Sequence, residues 1–98
     1  MIANIEKEFI LSRQLLKSGT SIGALVREAE HAQSTADFIS KMSIALKEAN
    51  ETEYWLLLLR DSNLLEAQIA QQLISANTEL ISMLVATIKT SKHKLSSG

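Results

Sequence analysis

Apolar residues recur every three or four positions along three stretches of this chain, and that spacing predicts three helices. The first helix is predicted over residues 3–31. The spacing assigns one buried face to Ile5, Phe9, Leu11, Leu15 and Leu16, and the next apolar stripe to Ile22, Leu25, Val26 and Ala29. A second is predicted over 35–60, with the seam Phe38, Met42, Ala45, Ala49, Thr52, Leu56 and Leu59. A third is predicted over 64–89, with the stripe Leu65, Ile69, Leu73, Ala76, Leu80, Leu84 and Ile88.

Gly19 makes the course of the first helix ambiguous. It either ends one helix or bends a longer one, because glycine leaves helical geometry at little cost and Thr20 or Ser21 can cap a new start. A continuous helix with a kink near residue 19 is the prediction. Gly23 adds to it, because a glycine permits close approach of another helix.

Residue types mark the other helix boundaries more clearly. Ser34 and Asp37 have the spacing of a capping box, with Ser34 as the N-cap of the second helix. Residues 61–63 predict a short turn between antiparallel helices. Residues 95–98 are expected to fray. The sequence therefore predicts one domain over 1–98, an all-α antiparallel up-down bundle.

The segment 54–59 joins two large aromatic residues to four consecutive leucines. Successive helical residues turn by about 100°, so four leucines cover every side of the helix and must be enclosed by other helices. We expect the segment to form core or oligomer interface, with the polar tips of its aromatic residues hydrogen-bonded. It comprises Tyr54, Trp55, Leu56, Leu57, Leu58 and Leu59. Three helices cannot cover this much apolar surface, so we predict self-association.

Composition supports an all-helical protein of the cytoplasm. The chain has no proline and only three glycines, too few for the tight turns of a sheet protein. It has no cysteine, which excludes disulfides and thiolate metal sites. No apolar run approaches the ~20 residues that cross a bilayer, and the amino end lacks the pattern of a signal peptide. The formal net charge of −1 argues against strong non-specific binding of nucleic acid.

Candidate chemistry is sparse. Glu28 and His31 have the Glu-x-x-His spacing of di-iron bundles, but such a site needs a second step and two more carboxylates. A polar patch near the helix end is the better interpretation. The acidic residues Glu48, Glu51 and Glu53 cannot all share one helix face, so they predict a solvated surface paired with Lys47 or Arg27. We predict no enzyme activity, metal, cofactor or small-molecule substrate.

Two features are compatible with binding of nucleic acid. Tyr54 and Trp55 have the chemistry to stack on bases, although packing is the favoured interpretation. The carboxyl end is basic, and cations there also suit the helix dipole. Its candidate phosphate contacts are Lys89, Lys92, His93 and Lys94. Any binding of RNA or DNA is therefore expected to be weak and carried by this end.

Several segments closely resemble the bacterial four helix bundle protein family, also called the 23S rRNA intervening-sequence protein family. They are LLKSGTSIGA at 15–24, REAEHA at 27–32, DFI at 37–39, SIALKEANETEYWL at 43–56 and ANTELI at 76–81. The resemblance extends roughly from Phe9 to Thr90, in order and without large gaps.

The resemblance implies an antiparallel four-helix bundle, often a ring-shaped homopentamer, with no associated enzyme activity. A related group, the accessory proteins of diversity-generating retroelements, shares the bundle and binds nucleic acid through a basic surface; this is the alternative function. Family members usually carry a further helix of about 20 residues before the segment matched here by 5–18. We therefore expect that first helix to be short or missing here: either the chain is a shortened member, or contacts between copies replace the helix.

Overall fold

The structure, a computed structural model, describes the backbone of residues 2–97 and the side chains of residues 9–96. It contains three helices: α1 (Ile2–Glu30), α2 (Thr35–Asp61) and α3 (Ala67–Ser97). They pack side by side into an elongated body of 58 × 20 × 14 Å. Short connections between long neighbouring helices make them antiparallel. The predicted all-α class is confirmed. No helix within residues 2–97 has the length and apolar character needed to cross a membrane.

α1 continues through Gly19 and Gly23 without interruption. A Cβ built on either glycine would meet no atom within 4 Å. Neither α2 nor α3 therefore lies against that side of α1, so this chain's own helices do not use the close approach that Gly23 permits.

Ser34 begins α2, as predicted. Its backbone is extended (φ −154°, ψ 164°), and its Oγ accepts a hydrogen bond of 3.0 Å from the Asp37 N–H. A capping box also predicts that the Asp37 carboxylate accepts a hydrogen bond from the Ser34 N–H. This second contact is wrong by one residue. The Asp37 carboxylate accepts from the Gln33 N–H at 3.4 Å instead of from Ser34. The contact to the Ser34 side chain satisfies an amide that the start of the helix leaves free.

We expect Ser34→Ala to lower the free energy of unfolding by about 0.5–2 kcal/mol, because an N-cap acceptor for a first-turn amide is lost. Chemical denaturation followed by circular dichroism measures the change. Ser96→Ala, near the end of α3, is the matched control and is expected to change little. Equal effects of the two variants would contradict the assignment of this cap.

The connection between α2 and α3 is longer than the predicted turn. Asn63 adopts φ 57°, and the amides of Asn63 and Leu64 donate to the carbonyls of Arg60 and Leu59 at 3.1 and 3.0 Å. This is a Schellman motif, which asparagine tolerates better than most residues. It turns the chain away from α2, so α3 begins at Ala67 instead of residue 64.

The far end of α3 also differs from the prediction. The frayed end expected at 95–98 is helical through Ser97. Between Ala67 and Gly98 the sequence has no glycine or proline, so it carries no residue that would end α3 earlier.

The core is built around α2, which packs against both other helices. In the part of the chain that the structure describes, no Cα of α1 comes within 8 Å of a Cα of α3. Near the α1–α2 turn, side chains from all three helices nevertheless meet in one buried cluster: Ile22, Ala29, Met42, Ala45, Ala49, Leu84 and Ile88. Away from this cluster α1 and α3 leave a gap over α2.

The predicted stripe of α3 is only partly buried. Ala70 and Asn77, which the stripe omitted, are buried, whereas Ile69, Leu73 and Ala76 are exposed. Leu84 and Ile88 are buried as predicted. The stripe was misassigned because α3 carries apolar residues on two adjacent faces, and only one of them packs on α2.

α1 shows the same division. Leu11 is buried and Leu15 is half-buried, whereas Phe9 and Leu16 are exposed, so the prediction that these residues share one buried face is wrong. Ile5, also assigned to that face, lies outside the described side chains. Farther along, Ile22 and Ala29 are buried as predicted.

Candidate functional site

An apolar groove lies between α1 and α3, with α2 as its floor. Its volume is about 600 Å³. It is lined by Ser12, Leu15, Leu16, Gly19, Thr20 and Ile22 from α1, Thr52 and Leu56 from α2, and Leu73, Ala76, Asn77 and Leu80 from α3. We call this surface the groove.

Polar atoms in the groove floor are already engaged by backbone carbonyls. The Thr52 hydroxyl donates to the Glu48 carbonyl at 2.9 Å, and the Asn77 Nδ2 donates to the Ala49 carbonyl at 2.9 Å. The groove therefore offers mainly apolar contact area.

Large apolar side chains remain exposed on the two helices that form the walls of the groove. On α1 they are Phe9, Ile10 and Leu16, and on α3 they are Ile69, Leu73 and Met83. The α3 set, continued through Ala76 and Leu80, recurs at steps of four and three residues and so forms one helix face. The sequence indicated this apolar face but could not show that it lacks a partner within the chain.

The structure divides the predicted aromatic and leucine segment. Leu56 and Leu59 are buried, and Leu57 and Leu58 are half-buried. Tyr54 is exposed, and its ring meets that of half-buried Trp55 edge to face, with centroids 5.1 Å apart. The Trp55 Nε1 is buried without a hydrogen-bond partner in the described structure. The expectation that this polar tip is hydrogen-bonded is therefore wrong.

Glu28 and His31 lie near the turn between α1 and α2. The Glu28 carboxylate is 3.9 Å from the Lys41 Nζ, which is also 4.0 Å from the Asp37 carboxylate. His31 is exposed just after the end of α1. Among the residues that the structure describes, no three His, Asp or Glu side chains are grouped so that they could hold a metal ion. Glu28 instead takes part in a surface ion pair.

The acidic residues of α2 lack the predicted salt partners. Lys41 forms ion pairs with Glu28 and Asp37, and Arg60 contacts Asp61 at 3.0 Å. Within the described residues, neither Lys47 nor Arg27 pairs with Glu48, Glu51 or Glu53, so that expectation is wrong.

Two groups of exposed basic side chains bear on the predicted binding of nucleic acid. Lys89, Lys92, His93 and Lys94 are exposed on the last turns of α3. Arg13 and Lys17 are exposed on α1, and the Arg13 guanidinium lies 5.6 Å from the centre of the Phe9 ring. The predicted phosphate contacts therefore lie together on the last turns of α3, and a second basic patch lies on the outer surface of α1.

A family model described as the 23S rRNA-intervening sequence protein matches residues 3–86. A crystal structure from Bacteroides thetaiotaomicron VPI-5482, of a protein with unknown function from the S23 ribosomal protein family, is 52% identical to this chain. The match covers 90% of this chain and 82% of that one, with a TM-score of 0.82. No curated protein sequence matches the chain. These similarities extend over the helices that form the groove, and the chain belongs to the 23S rRNA-intervening sequence protein family.

Proposed function

We propose that this protein is a non-enzymatic, self-associating helical bundle of the bacterial cytoplasm. The observation that carries the proposal is the groove, together with the exposed apolar residues on both of its walls. Contiguous apolar surface of this kind on a soluble protein normally marks an association site. The stoichiometry we propose is a homopentamer, which follows from the family resemblance.

The groove's chemistry favours binding over catalysis. Its floor donors are engaged by backbone carbonyls, and its walls are mainly aliphatic. A catalytic site needs a nucleophile, acid or base positioned to reach a substrate, and the groove presents Ser12 and Thr20 as its only other hydroxyls. The Thr20 hydroxyl donates to the Leu16 carbonyl at 2.8 Å, as helical threonines commonly do.

Light scattering coupled to size-exclusion chromatography tests the proposal. At micromolar concentration we expect a particle of about five times the 10.8 kDa chain mass. Dilution should release a smaller species in step with loss of the larger one. A compact, fully folded monomer throughout the concentration range would refute the proposal.

Weak binding of RNA or DNA is the second candidate function. Lys89, Lys92 and Lys94 supply three exposed cations on the last turns of α3, where they can reach phosphates. The rest of the chain has seven basic and eleven acidic residues, and this acidic excess limits the affinity that the cluster can provide.

We expect Lys89→Glu, Lys92→Glu and Lys94→Glu together to abolish binding and leave helicity and assembly unchanged. With three phosphate contacts on single strands, the logarithm of wild-type affinity should fall with the logarithm of salt at a slope of about −2. Fluorescence anisotropy over a salt series measures both effects. Lys47→Glu, at an exposed lysine outside the cluster, is the control and should leave binding nearly intact.

Tight binding that survives the triple charge reversal would contradict this role of the carboxyl end. It would instead require a basic surface built by assembly from Arg13, Lys17 and Arg27 of several copies. Symmetry can repeat a local patch around an axis even when each subunit is nearly neutral.

A further inference from the structure

The α1 wall of the groove has room for another helix. Gly19 lines the groove, Gly23 lies one turn farther along α1, and a Cβ on either would meet nothing within 4 Å. Glycines four residues apart lie on one side of a helix and expose its backbone. An incoming helix can therefore approach this wall closely, in the manner of small-residue contacts between packed helices.

The outer surface of α1 has the character of an incoming helix. Phe9 is 61% exposed and Ile10 is 57% exposed. Arg13 and Lys17 lie among them and are the only charged residues between positions 9 and 26. This surface combines apolar side chains with positive charge.

The α3 side of the groove has the opposite charge. Glu79 is the only charged residue between positions 67 and 88. It belongs to a polar surface with Gln72 and Ser75 that meets the groove at Ala76. The chain thus carries an apolar, positively charged helix surface and an apolar groove with a negatively charged edge.

We propose that the outer surface of α1 in one copy lies in the groove of a second copy, with Arg13 and Lys17 facing the edge at Glu79. This inference rests on the proposed self-association and names the two surfaces that make it. The evidence for a second copy as occupant is the match in both charge and apolar character between two surfaces of one chain. Because the two surfaces differ, the contact is heterologous and closes into a ring when its rotation permits.

Gly19→Leu tests the close approach. The larger side chain enters open space in the isolated subunit and improves helix propensity, so helicity should be retained or increased. In the assembly it occupies the space of the incoming helix, and the dissociation constant should rise at least about tenfold. Analytical ultracentrifugation measures this change. Ser43→Leu, at an exposed position of α2 outside the groove, is the matched control and should leave assembly unchanged.

A charge exchange tests the pairing. Arg13→Glu with Lys17→Glu, or Glu79→Arg alone, should each weaken assembly by about fivefold, because like charges then face each other. Combining all three substitutions restores opposite charges and should recover most of the wild-type affinity.

The outcomes separate this inference from the proposed function. A monomeric wild-type protein overturns both. An assembly that is insensitive to Gly19→Leu, or that the charge exchange fails to restore, leaves self-association standing and overturns the pairing of α1 with the groove.

Discussion

Leu84→Ala is expected to lower the free energy of unfolding by about 2–5 kcal/mol. Leu84 is 3% exposed and lies in the cluster where all three helices meet. Its truncation removes buried apolar atoms and leaves a cavity between helices that can collapse only in part. Urea denaturation at fixed protein concentration measures the change, since assembly makes apparent stability depend on concentration.

Leu95→Ala is the matched control. Leu95 lies on the same helix but is 53% exposed, so its truncation should change stability by no more than about 0.5 kcal/mol. A loss of unfolding free energy for Leu84→Ala as small as that for Leu95→Ala would show that Leu84 does not belong to the common core.

Asn77→Ala should cost about 1–3 kcal/mol, because a buried hydrogen bond and part of the packing at the groove floor are lost together. Asn77 is 7% exposed, and its Nδ2 donates to the Ala49 carbonyl at 2.9 Å. This contact links α3 to α2 across 28 positions of sequence. The same denaturation measurement applies.

Thr78→Ala controls for the loss of a polar side chain at the neighbouring position. The exposed Thr78 hydroxyl donates to the Ile74 carbonyl of its own helix, so its removal should have little effect. An Asn77 variant as stable as the Thr78 variant would mean that the hydrogen bond to Ala49 does not hold α3 in register.

The seam of α2 could be predicted from the amino-acid order almost completely. Its six buried residues are Met42, Ala45, Ala49, Thr52, Leu56 and Leu59, and all belong to the predicted seam. This success has a physical reason: α2 packs against α1 and α3, so its apolar seam corresponds to contacts within the chain. Ser34 could also be identified, because N-capping depends on local geometry.

Helix boundaries that depend on competing local hydrogen bonds were predicted less accurately. The later start of α3 follows from the left-handed Asn63 and its Schellman hydrogen bonds, which compete with an immediate helix start. The shift of the Asp37 carboxylate contact from Ser34 to Gln33 also depends on the detailed path of the chain before α2. Residue type alone does not specify such paths.

Residue order was sufficient to establish the helical class, the approximate helix positions, the family resemblance and an excess of apolar surface. Only tertiary structure decided which apolar face of α1 and α3 is covered. Leu16 and Leu73 satisfy helical periodicity as well as Leu11 and Leu84 do, yet they border the groove instead of filling the core. Periodicity shows which faces of a helix are apolar, whereas the arrangement of the neighbouring helices determines which of those faces is buried within the chain.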